Sequence, residues 1–259
     1  MYTLSNKALL SNATITVVGC GGTGGFVAEG VSRLLLSYPG MNLVLIDHDQ
    51  VEQHNLIRQN FYQEDLGKFK AQALAERLAR KFNRSVGYFV NPFNPKFVQP
   101  GLIIGCVDNG PARAAIAKAM SPWNGSWYLD AGNSDNWGQV LIGNEDVMEK
   151  CAFDPEKGLC YALPLPTIQQ PGLLAGQPQP ALSCAEAVAQ NHQSPVINQA
   201  MAMLVLEVVR KLLAGTLSWM QVYISLDAGT MHAVEATPEV VARMTGMRVS
   251  SLIKKGGDS

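Results

Sequence analysis

The chain is poor in charge, has no basic excess, no long uninterrupted apolar run and an odd number of cysteines, and each shortage excludes something. Charged residues make up 16% of the chain and the net charge is −1, so no nucleic-acid partner is expected from a basic surface. The most apolar helix candidate, MAMLVLEVVRKLL, contains Glu207, Arg210 and Lys211; it is too short and too charged to span a bilayer. Cys20, Cys106, Cys151, Cys160 and Cys184 are widely and irregularly spaced, which makes a poor disulfide framework. The opening stretch MYTLSNKALLSNATITVV has neither the basic start nor the apolar core of a secretory signal. A soluble cytoplasmic protein with free thiols and no membrane association is expected. What is present is core material: 47% apolar residues in a chain of 259, enough for one large α/β domain.

β-Branched runs alternate with helical periodicity through the first half. TITVV (14–18), NLVLI (42–46), VGYFV (86–90), GLIIGCV (101–107) and WYLDA (127–131) read as strands. Between them lie the helix candidates GGFVAEGVSRLLL (24–36), GKFKAQALAERLARKF (67–82) and PARAAIAKAM (111–120). This alternation predicts an α/β fold, a Rossmann-like doubly wound, mostly parallel sheet. Later segments add GQVLIGN (138–144) and a final hairpin in QVYISLDAG and MHAVEA, so the C-terminal strands are expected to be antiparallel. Residues 154–182 hold Pro155, Pro164, Pro166, Pro171, Pro178 and Pro180, and a long irregular crossover at about 150–190 is expected. SPVINQAMAMLVLEVVRKLLAG (194–215) is a long helix, apolar on most faces and so expected in the core or in a subunit interface. No linker divides the chain, and 1–259 is read as a single domain.

The chemistry gathers behind the first strand. VVGCGGTGG places Gly19, Gly21 and Gly24 in a G-x-G-x-x-G pattern between strand and helix. There the glycines permit a tight turn, close approach of a phosphate and close helix–strand packing. Asp47 ends the second strand, about twenty residues further on, as suits a carboxylate that binds a ribose diol. Asp49 follows as a cap or a secondary polar contact. A dehydrogenase needs little more than this, yet Asn55, Arg58, Gln59 and Lys70 come next. A guanidinium and an ammonium suit a nucleoside triphosphate, where they neutralise β and γ phosphates and the charge on departing pyrophosphate. In GCVDNGPAR, Asp108 and Asn109 end another strand; an acid there can hold Mg²⁺ between phosphates. Arg113 either orients that loop, touches nucleotide or makes a structural ion pair.

Taken in order, GCGGTGG, IDHDQVEQHNLIRQNF, DLGKFKA, CVDNGPAR and LDAGN resemble the ThiF/MoeB/HesA adenylating family, whose fold is shared with ubiquitin-activating enzymes. The most specific element is D-x-D-x-V-x-x-x-N-L-x-R-Q. Within the family, the chain looks most like the ThiF-type members of bacterial mobile-element gene sets, the PRTRC type. The resemblance implies an enzyme that uses ATP and Mg²⁺ to adenylate the C-terminal carboxylate of a small ubiquitin-like or sulfur-carrier protein ending in Gly-Gly. It implies a phosphate loop of Gly19, Gly21, Gly22 and Gly24, with ribose at Asp47. Asn55, Arg58, Gln59 and Lys70 contact or shape the phosphate site, and Asp108 stands at Mg²⁺. A homodimer is implied as well.

Two features depart from the family pattern. Many relatives carry two Cys-x-x-Cys pairs for zinc; this chain has none, and no zinc is expected. No arginine precedes Arg33, whereas in relatives an N-terminal arginine reaches the partner's active site. Cys184, in SCAEA, matches a position where some relatives join the carrier through a cysteine. The thiol either attacks the acyl adenylate or is simply buried. Other readings stand beside the family one: a peptide or a modified RNA nucleoside as acceptor, an NAD-dependent Rossmann oxidoreductase, or a scaffold that binds nucleotide without turnover.

Overall fold

A computed structural model describes residues 1–9, 12–97, 99–120, 126–175 and 196–254. Its elements in chain order are β1 (Thr3–Leu4), β2 (Thr14–Val18), α1 (Gly22–Leu34), β3 (Asn42–Ile46), α2 (Lys70–Phe82), β4 (Gly87–Phe89), β5 (Gly101–Gly105), α3 (Gly110–Met120), β6 (Trp127–Asn133) and β7 (Trp137–Gly143). Then come β8 (Ala152–Asp154), β9 (Leu159–Ala162), α4 (Pro166–Gln169), α5 (Ile197–Leu213), β10 (Trp219–Ser225), β11 (Thr230–Glu235), α6 (Pro238–Thr245) and α7 (Val249–Leu252).

Eight strands form the main sheet in the order β11-β10-β7-β6-β5-β2-β3-β4. β2, β3, β4, β5 and β6 pair in parallel; β7, β10 and β11 extend the sheet antiparallel. The parallel half has the doubly wound order, with its reversal between β2 and β5, and ligands of such sheets bind at that point. Register sharpens the geometry. Val18 pairs with both Ile46 and Gly105, so the loops after β2, β3 and β5 leave the sheet side by side. β2 and β5 are buried at every position, as befits central strands covered on both faces.

The long apolar helix is spent inside the molecule. α5 packs on α1, β6, β7 and β10, with Ile197, Met201, Val205, Val209 and Leu212 all fully buried. Its apolar character therefore follows from core packing and does not call for a subunit interface. The proline-rich stretch also differs from the irregular crossover expected of it. Its described part folds into the antiparallel pair β8–β9, joined to β1 in a small sheet, and into α4, with Pro166 in the first turn. Gly158, at φ +63°, closes the hairpin, and proline is compatible with a helix N-terminus. Residues 176–195, Cys184 among them, lie outside the described residues. No helix among the described residues is long and apolar enough to cross a membrane.

Candidate nucleotide site

The three adjacent loops surround a cavity of about 550 Å³. Gly19 turns the chain out of β2 at φ +86°, and a Cβ there would lie 2.5 Å from the Cys106 carbonyl oxygen. Gly24 lets α1 settle onto the loop: a Cβ would lie 1.8 Å from the Gly19 oxygen. The first turn of α1 then presents backbone N–H groups to the cavity beside Gly21 and Gly22, an arrangement suited to an anion.

Asp47, 9% exposed, is pinned to this loop. Its Oδ2 accepts the Cys20 N–H at 2.6 Å and its Oδ1 the Asp49 N–H at 2.8 Å. Burial pushes the Asp47 carboxyl above the usual range, against the pull of those two N–H groups and of Lys70. An ionised carboxylate has about four lone-pair sites, which leaves capacity for a diol. Asp49 holds Lys70, whose Nζ lies 2.9 Å from Asp49 Oδ2. The Lys70 side chain is 9% exposed and that of Asp49 55%, so an exposed acid holds a mostly buried cation on the cavity wall.

Arg58 and Gln59 line the same cavity. The turn that delivers them is built by Asn55, which is buried and absent from the cavity wall. Its Oδ1 accepts the Glu52 N–H at 2.9 Å, and its carbonyl accepts from Gln59 N at 2.9 Å. Asn55 thus shapes the arginine turn from behind, and Gly24 likewise acts from within the packing. Gln59 has a buried Oε1 with no hydrogen-bond partner and a side chain 3.8 Å from the Cβ position of Gly21. Further along, buried Asp65 pairs with Arg77 at 2.6 Å and steadies the segment between Arg58 and Lys70.

On the far wall stand Asp108 and Asn109. Asp108 is exposed, and its Oδ1 accepts from Asn109 Nδ2 at 3.2 Å. Asn109 Oδ1 also takes the Ala112 N–H at 2.9 Å and so caps α3. Behind them is a polar group whose partner the sequence did not suggest. Arg113 Nε lies 3.2 and 3.1 Å from the two oxygens of Asp130, and Tyr128 donates to Asp130 Oδ2 at 2.7 Å. Arg113 Nη2 donates to the Val107 carbonyl at 2.7 Å, so the ion pair orients the loop that carries Asp108. Asp130 is fully buried. Burial pushes its carboxyl up, while Arg113 and Tyr128 pull it back. Thr23, Asn133 and Asn198 also line the cavity; Asn198 lay unremarked in the first turn of a helix that reads as apolar.

Burial disfavours the thiolate form of the described cysteines. Burial raises Cys20 and Cys160 well above their ordinary value, lifts Cys106 as well, and pushes Cys151 up to about 12. Reactive cysteines have lowered values. Among the described residues, the one grouping of three His, Cys, Asp or Glu side chains able to share an ion is Asp47, His48 and Asp49, with ligand atoms within 4.8 Å. Asp47 and Asp49 are already committed to the glycine loop and to Lys70. Asp108, with one oxygen engaged by a neutral amide, is the better single carboxylate for an ion that also binds phosphates.

Comparison with known proteins agrees with this architecture. Residues 4–245 match the model of the ThiF family. Ubiquitin-like modifier-activating enzyme 5 of Dictyostelium discoideum is 30% identical over 174 residues, a match that covers 58% of this chain and 44% of that protein. The chain thus spans less than half the length of that relative. A crystal structure of E. coli MccB with AMPCPP and MccA has a TM-score of 0.61 at 19% identity, covering 87% of this chain and 64% of that one. The crystal structure of E. coli MccB with ATP has a TM-score of 0.59 at 20% identity, with 87% and 64% covered. Both are likenesses of fold.

Proposed function

The chain belongs to the ThiF family, and from that premise we propose that it is an ATP-dependent adenylyltransferase. Its substrate in this reading is the C-terminal carboxylate of a small ubiquitin-like or sulfur-carrier protein ending in Gly-Gly. One observation carries the proposal: Arg58 and Lys70 line the same cavity as the glycine loop, Asp47 and Asp108. A hydride-transfer cofactor has use for the loop and the ribose acid. It gives two cations and a further acid no task, which disfavours the NAD reading.

The roles follow from charge. Asp47 accepts the ribose hydroxyls, and the N–H groups of the loop and of α1 meet the phosphates. Arg58 and Lys70 lie against the β and γ phosphates. Asp108 would hold Mg²⁺, which supplies further neutralisation at the phosphates. The carrier's carboxylate is already ionised at neutral pH and needs no general base. Its oxygen forms a bond to the α phosphorus, the bond from that phosphorus to the bridging oxygen breaks, and pyrophosphate leaves with the electron pair. Arg58 and Lys70 stabilise the negative charge that grows on it. If a thioester follows, a cysteine thiolate attacks the acyl carbon and AMP departs; the high values of the four described thiols leave Cys184 for that step. A homodimer and a cytoplasmic site of action complete the reading.

The test is exchange of labelled pyrophosphate into ATP, with purified ubiquitin-like proteins ending in Gly-Gly and the same proteins without the last glycine. Exchange that requires Mg²⁺, the Gly-Gly end and Arg58 is expected. Absence of exchange together with hydride transfer to NAD would overturn the proposal.

A further inference from the structure

Asn198 stands in the first turn of α5, 4% exposed, on the wall of the cavity. Its short side chain meets two other walls. The Thr23 hydroxyl lies 3.3 Å from its Oδ1, and its Nδ2 donates to the backbone carbonyl of Arg58 at 3.4 Å. Its amide also fills the hollow over Gly22, where a Cβ would lie 2.4 Å from Nδ2. The same Thr23 hydroxyl lies 3.2 Å from Asn133 Oδ1, at the end of β6. A single buried amide therefore joins the glycine loop at the start of α1, the arginine turn and α5.

We infer that Asn198 is a positioning residue for adenylation, setting the distance between the arginine turn and the phosphate loop. The inference rests on the reading of the cavity as an ATP site. The glycine loop and Arg58 must grip different phosphates of one chain at once, and small misplacements of such groups cost rate steeply. Asn198 lies 140 positions from Arg58 in sequence, and the fold brings the two together. The chain segments on either side of Arg58 fix its turn internally through Asn55; Asn198 ties that turn to the rest of the site. Asparagine meets the need because it offers an acceptor to Thr23 and a donor to the Arg58 carbonyl on one short stem. Alanine offers neither, and serine is too short to reach the carbonyl.

The experiment is calorimetric titration of wild type, Asn198→Ala and Asn198→Ser with ATP·Mg²⁺ and with AMP. AMP has no β or γ phosphate and so does not report on Arg58. ATP affinity is expected to fall about fivefold in both variants, the equivalent of one hydrogen bond, with AMP affinity unchanged. In an Arg58→Ala background, Asn198→Ala should alter the ratio of ATP to AMP affinity no further, because the group it positions is gone. Equal losses for ATP and AMP, no loss, or a full further loss in the Arg58→Ala background would overturn the inference. The adenylation reading fails separately, and takes the inference with it, if wild type binds neither nucleotide.

Discussion

Replacing Asp130 by alanine removes the counter-charge of a guanidinium that the fold has already taken out of water. The Arg113 side chain is 8% exposed and that of Asp130 fully buried, and they meet at 3.1 Å. Asp130 also receives the Tyr128 hydroxyl at 2.7 Å, so the substitution strands a charge and a phenol together. Breaking a buried pair from one side costs about 3–5 kcal/mol. For a chain of this size that is a fall in Tm of roughly 6–20 °C. Thermal and urea unfolding followed by circular dichroism measure it. The double variant Arg113→Met, Asp130→Leu removes both charges and should recover at least about half of the loss, since an apolar replacement of a buried pair is often neutral. In the double variant the Val107 carbonyl also loses the Arg113 donor, so stability that recovers while ATP binding is weaker than in wild type is the expected pattern. A loss below about 1 kcal/mol in the single variant, or a double variant as unstable as the single, would refute the reasoning.

Arg58→Ala should leave the chain folded and lower pyrophosphate exchange by more than about a hundredfold; near-normal exchange would remove its assigned role. Gly24→Ala forces a Cβ to 1.8 Å from the Gly19 oxygen and should destabilise by about 1–3 kcal/mol, read from the urea midpoint, with ATP binding lost; a wild-type midpoint would contradict the packing described. Burial raises the Asp47 carboxyl, so between the unfolded-state and folded-state values the folded chain keeps a proton that the unfolded chain has released. The stability contributed by that proton is full below the ordinary carboxylate value and lost as pH rises through the raised one. Asp47→Asn should abolish this component of the Tm–pH curve, and a curve parallel to wild type would count against it. Cys20, Cys151 and Cys160 are buried and should resist iodoacetamide at neutral pH in the native protein; rapid labelling of any of them, seen by mass spectrometry, would be the adverse result.

The features legible in the sequence are those encoded locally. TITVV and NLVLI read as strands and GCGGTGG as the turn between strand and helix, and the structure has all three. The loop glycines, Asp47, Arg58 and Lys70 follow one another along one strand–helix–strand run, so their spacing alone suggested a common site. Asn55 was expected to contact or shape the phosphate site, and its Oδ1 takes the Glu52 N–H of its own turn. The Arg113–Asp130 pair joins two elements that alternation describes only as strand and helix, and nothing in WYLDA reveals which partner a buried acid will find. Asn198 was obscured by the apolar composition of α5, and its partners Thr23 and Arg58 are brought to it by the packing of α5 on α1. The hairpin β8–β9 was hidden by proline content, because prolines between short elements resemble prolines in a loop.

The central claim is that the cavity at the crossover of the sheet holds ATP for adenylation, with Arg58 and Lys70 on its phosphates. Calorimetric titration of the purified protein with ATP·Mg²⁺, with ATP plus chelator and with NAD tests it most directly. Tight binding of ATP that weakens on chelation and on Arg58→Ala, with no heat from NAD, is the expected result. Binding of NAD in preference to ATP, indifferent to Arg58, would contradict it.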